Sequence, residues 1–126
     1  MSTSIEVERP DGTVTRYRRH PNGRGLVAVG AEVHGTALVA NGAYIEPGAQ
    51  VAVGAQVYDG AWIEEGAVID AFAVIGSGAR VGRGAEIGHH ARIGSRCVVP
   101  AGVKVRPADV VRTDLRPLQA RAASRR

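Results

Sequence analysis

The 126 residues have room for one domain and not for two, since domains run to roughly 100 to 200 residues. Apolar residues make up 44% and charged residues 22%, but 17 glycines beside five aromatics argue against a core packed from aromatic and leucine side chains. The net charge of +4 arises from fifteen Arg and one Lys against twelve acids, and where these charges sit matters more than their sum.

Met1 to Pro10 already carries Glu6, Glu8 and Arg9 and has no apolar h-region, so it does not read as a signal peptide. Ile5 to Arg18 alternates around Pro10, Asp11 and Gly12, the pattern of a short hairpin with a type I or II turn. Residues 1–26 are therefore expected to form a hairpin cap over the next segment, hiding an open strand edge.

From Val27 to Val105 every sixth residue is Val or Ile, fourteen in all. The fourth residue after each of the first thirteen is small or apolar: Ala eleven times, then Cys97 and Val103. A period of six with no 3.6-residue component excludes an amphipathic helix, and a low-complexity segment would not hold phase through thirteen repeats. Each unit reads as a short strand with the β-branched residue inward, a bend enclosing the small residue, and a turn. Nine of the thirteen turn positions are Gly, which takes a positive φ at least cost. Three strands and three turns make one coil of eighteen residues. Residues 27–105 thus predict an all-β prism of a little over four coils, about 20 Å long at a strand spacing of ~4.8 Å.

Cys97 occupies a bend position and is expected to behave as a small buried hydrophobe. A lone thiol fits neither a disulfide nor a zinc knuckle, and suggests a reducing cytoplasm. The longest uncharged stretch, Val33 to Ile45, falls short of the roughly 18 to 20 residues that span a bilayer, so no membrane contact is expected. Residues 106–126 form an Arg-rich tail with six Arg against two Asp, interrupted by Pro117. It is expected to hold one or two helical turns at most before a disordered end. Such a tail could bind an acidic partner, although no aromatic interleaves the arginines as single-strand nucleic acid binding would require.

The repeat resembles the hexapeptide-repeat family over about two thirds of the chain. That resemblance implies a left-handed parallel β-helix, an exception to the right-handed rule for parallel crossovers, and a homotrimer of parallel prisms. Stacking the coils by eighteen residues then aligns side chains distant in number. On the first face Leu26, Tyr44, Trp62, Arg80 and Val98 point outward. Tyr44 and Trp62 are costly in water and suggest contact with another subunit, or cover by the hairpin or tail.

The turn after the second face runs Thr36, Gly54, Phe72, His90, and Asp70 lies one coil below Gly88 and His89. A carboxylate beside an imidazole can orient it for general-base work. In sugar acyltransferases of the family, which use coenzyme A or acyl carrier protein thioesters, a His two residues after the core aliphatic is the general base. His89 holds that position after Ile87. Asp70 is the expected orienting group and His90 the less favoured base, with glycine-turn amides available to an oxyanion. A weaker similarity to gamma-class carbonic anhydrases makes the same position a zinc ligand. The residue five on is Gly94 and His34 lies three coils away, so one ligand of three is present and no metal is expected. The uninterrupted repeat has no lid over an acceptor. Residues 27–79 hold six acids and no Lys or Arg, whereas 80–105 hold five bases against Glu86. This polarity supports a rival reading, a non-catalytic scaffold that stacks end to end.

Overall fold

The computed structural model describes residues 4–113. Strands β1 (Ser4–Glu8) and β2 (Val14–Arg19) form the expected antiparallel hairpin, and β2 pairs antiparallel with β3 (Leu26–Ala28). Beyond β3, two-residue strands recur every six residues. The hairpin and β3 continue into one sheet through β6 (Tyr44–Ile45), β9 (Trp62–Ile63), β12 (Arg80–Val81) and β15 (Val98–Val99). A second sheet stacks β4 (Glu32–Val33), β7 (Gln50–Val51), β10 (Val68–Ile69), β13 (Glu86–Ile87) and β16 (Lys104–Val105). The third stacks β5 (Leu38–Val39), β8 (Gln56–Val57), β11 (Val74–Ile75), β14 (Arg92–Ile93) and β17 (Val110–Val111). Neighbours within each stack are parallel and offset by eighteen residues, as in Val68 opposite Glu86. The chain is a left-handed parallel β-helix of about five turns.

The core follows the two inward positions of the repeat. Ile45, Ile63, Ile69, Ile75, Ile87 and Ile93 are fully buried in vertical rows, and the bend alanines from Ala37 to Ala91 have no exposed surface. Each fully buried Ile or Val contributes about 1.5 to 3 kcal/mol of transfer free energy. Cys97 is buried among the alanines, as its position implies.

Left-handed turns occur at every expected place but Thr36, including three that lack glycine: Phe72 (φ 61°), His90 (φ 62°) and Arg96 (φ 63°). Each costs on the order of 1 kcal/mol for an L-residue with a Cβ.

The cap closes two faces of the first coil. β2 covers the free edge of β3, and residues 20–25 cover that of β5. There the Val39 amide donates to Asn22 O at 3.0 Å, and its carbonyl accepts from the Gly25 amide at 2.8 Å. The approach is close enough that a Cβ at Gly23 would lie 2.3 Å from the Val39 carbonyl oxygen.

The repeat also runs one strand further than its sequence period suggests. β17 pairs with β14, so Val111 continues the core row and part of the presumed tail belongs to the prism. The bend before it carries Asp109 in place of a small apolar residue, which hides the phase, while Ala108 supplies the left-handed turn (φ 65°). Residues 107–113 form turn and strand where helical turns were expected; the rest of the Arg-rich tail lies outside the described residues. Among the described residues no helix is long and apolar enough to cross a membrane.

Candidate functional site

The edge between the second and third faces is built from one turn per coil, and its members are stitched vertically. The Thr36 hydroxyl accepts from the Gly54 amide (3.1 Å), the Phe72 amide donates to Val53 O (3.0 Å), and the His90 amide donates to Ala71 O (3.0 Å). The Phe72 ring lies over Gly54, where a Cβ would meet it at 2.4 Å. Above it the His90 ring stacks on Phe72, with centroids 5.3 Å apart and planes inclined by 26°. Phe72 nonetheless remains 51% exposed.

His89 projects from the same turn, exposed, with its ring edge-on to His90 at 5.3 Å. The two Nδ1 atoms are 3.1 Å apart and hydrogen bonded. Asp70 shares the neighbourhood but not the bond. Its Oδ1 accepts from the Ala71 amide at 2.7 Å, and no hydrogen bond joins it to either imidazole. The structure thus partners His89 with His90 where the sequence pointed to Asp70. Several glycine-turn amides are already engaged: those of Gly66, Gly78, Gly84 and Gly102 donate to the coil beneath at 2.9 to 3.3 Å. His34 is tied to its own turn, with Nδ1 2.9 Å from Thr36 Oγ1. Among the described residues no group of three His, Cys, Asp or Glu side chains could hold a metal ion.

Arg106 belongs to the column of Asp70 and Gly88, one coil above the histidine turn. Among the described residues its Nη1 is buried without a hydrogen-bond partner. Counting by eighteen from Asp70 through Gly88 reaches Arg106, although it also opens the Arg-rich segment.

On the first face the aromatic strip is tied down from within the chain. Glu46, only 7% exposed, accepts from Tyr17 Oη (2.6 Å) at one carboxylate oxygen and from Trp62 Nε1 (2.6 Å) at the other. Arg9 approaches the same carboxylate at 3.4 Å and Glu65 at 3.6 Å. Tyr17 packs edge-on against Tyr44, while Arg80 lies 4.5 Å over the Trp62 ring and pairs with Glu64. Burial, then the hydrogen bond to Glu46 and its charge, push the Tyr17 phenol up to about 12. Intramolecular cover therefore accounts for part of the strip, leaving Tyr44 and Trp62 near 40% exposed.

The same cap alters the charge pattern. Arg9, Arg16, Arg18, Arg19 and Arg24 stand against Glu6, Glu8 and Asp11 before the acidic coils, so the cap is weakly basic and the order along the chain is basic, acidic, basic. The acidic coils thus lie between two stretches of net positive charge.

The family model described as bacterial transferase hexapeptide (six repeats) matches residues 60–95 and 72–107, the stretch containing Phe72, His89 and His90. Among solved structures the chain is similar to a histidine-to-asparagine mutant of perosamine N-acetyltransferase from Caulobacter crescentus, in complex with CoA and GDP-perosamine. The TM-score is 0.57 at 22% identity, covering 77% of this chain and 48% of that one. This chain thus spans about half the length of that transferase, and the likeness is one of fold. No curated protein sequence matches the chain.

Proposed function

We propose that the protein is an acyltransferase, moving an acyl group from a thioester of coenzyme A or acyl carrier protein to a hydroxyl or amine, with His89 as general base. The observation that carries this reading is the placement of His89. It stands two residues after the core Ile87, exposed, beside a stacked aromatic edge. In the reaction the free imidazole nitrogen takes the acceptor proton as the acceptor oxygen or nitrogen attacks the thioester carbonyl. The C–S bond then breaks and the proton passes to the departing thiolate. A thioester is already activated, so positioning and one base supply much of what the step needs. The fold-related transferase that holds CoA supports this choice of donor. Half-exposed Phe72, with Tyr44 and Trp62, favours closure of the site by further copies of the chain in a homotrimer.

Calorimetry with coenzyme A tests the donor, and His89→Ala tests the base. We expect binding by the wild type, and an unchanged fold without acyl transfer in the variant. Absence of binding at millimolar coenzyme A, together with a silent His89→Ala, overturns the reading. The unbroken repeat supports a second one, a non-catalytic scaffold. End-to-end stacking driven by charge requires sedimentation that falls with rising salt, and the basic, acidic, basic order of the chain weakens that drive.

A further inference from the structure

We infer that His90 is a positioning residue that fixes the tautomer of His89, an inference that rests on the reading of His89 as the base. Their Nδ1 atoms are 3.1 Å apart. A hydrogen bond between two ring nitrogens contains one proton, so one Nδ1 carries hydrogen and the other presents its lone pair. A base acting through Nε2 must keep its lone pair there. Its proton then sits on Nδ1 and needs an acceptor. Asp70, the carboxylate one coil below, is turned to the Ala71 amide. His90 Nδ1 is the acceptor in reach, and His90 in turn carries its own proton on Nε2.

The acceptor is held in place. The His90 amide is bonded to Ala71 O at 3.0 Å, its φ is 62°, and its ring rests on Phe72, which rests on Gly54. Glycine at position 90, as in most turns of the repeat, would form this bend without strain and supply no acceptor. The left-handed conformation of a histidine here, which a Cβ disfavours, is accounted for by the bond it makes possible. Phe72, equally strained, supplies the plate beneath.

The test is nitrogen-15 NMR of the histidine side chains, with both rings neutral, in the wild type, His90→Phe and His90→Asn. Phe keeps the stack without an acceptor, as Phe72 itself adopts this turn. Asn tolerates the left-handed conformation and offers an amide oxygen. In the wild type His89 should carry its proton on Nδ1. His90→Phe should return it to the Nε2–H form that free imidazole side chains prefer in water, and His90→Asn should restore Nδ1–H. Acyl transfer should fall about tenfold in kcat with little change in KM for His90→Phe, a fraction of the ~10²–10⁴ that a general base supplies, and recover in His90→Asn. A wild-type His89 protonated on Nε2 overturns the inference without need of any variant. So does an Nδ1–H form that survives His90→Phe. If the tautomers behave as stated but the wild type transfers no acyl group, His90 still fixes His89 and it is the acyltransferase reading that fails.

Discussion

Truncation of Glu46 to alanine tests how the cap is held to the prism. Both carboxylate oxygens are occupied at 2.6 Å, one by the buried Tyr17 hydroxyl and the other by Trp62 Nε1. Hydrogen bonds to a charged acceptor contribute about 1.5 to 3 kcal/mol each. The Trp62 bond belongs to a half-exposed ring that water can rehydrate, so its loss falls at the low end. Arg9, at 3.4 Å, is one-third exposed and adds little after solvent screening. Because Glu46→Ala also strands the Tyr17 hydroxyl, we expect a loss of about 3 kcal/mol, in line with breaking a buried charged pair. For a chain of this size that lowers Tm by on the order of 12 °C or more. Circular dichroism during thermal and urea unfolding measures the loss. Trp62, the single tryptophan, reports locally: its emission should shift as the cap loosens. Glu65→Ala, which removes only the outer Arg9 contact, should stay within about 0.5 kcal/mol. A Glu46→Ala loss below about 1 kcal/mol with unchanged Trp62 emission would refute the reasoning.

Four further outcomes are expected. The folded Tyr17 phenol lies near 12 against roughly 10 when unfolded. The folded state therefore binds the extra proton, and stability should fall as pH rises through that window by on the order of 2 kcal/mol; alkaline unfolding of Tyr17→Phe should lack this slope. Gly54→Ala places a Cβ 2.4 Å from the Phe72 ring in a turn with φ 68° and should cost about 2 kcal/mol, measured by urea unfolding. Arg106→Met removes a buried, unpartnered N–H and should raise stability by about 1 kcal/mol, measured by urea unfolding. Light scattering of the wild type should give three times the chain mass, and a monomer mass at micromolar concentration would exclude the trimer.

Much of the prism is legible in the chain because every coil meets the same requirement. A β-branched residue fills the interior, a small one fits the bend, and glycine eases the turn, so the eighteen-residue offset and the outward columns follow by counting. Legibility fails where one residue departs from the period while the backbone does not. Asp109 hides β17 in this way, and Phe72 and His90 show a left-handed turn persisting without glycine.

The sequence alone thus determined the all-β class, the core rows, the hairpin cap and the neighbourhood of His89, His90 and Asp70. The tertiary structure decided the partners: His90 rather than Asp70 for His89, a buried Glu46 joining Tyr17 to Trp62, and an Arg106 nitrogen left without an acceptor. The backbone repeat is set by a packing free energy common to every coil, and periodicity encodes it. Side-chain partners are chosen by individual torsions and by a cap folded in from outside the repeat, which no period records.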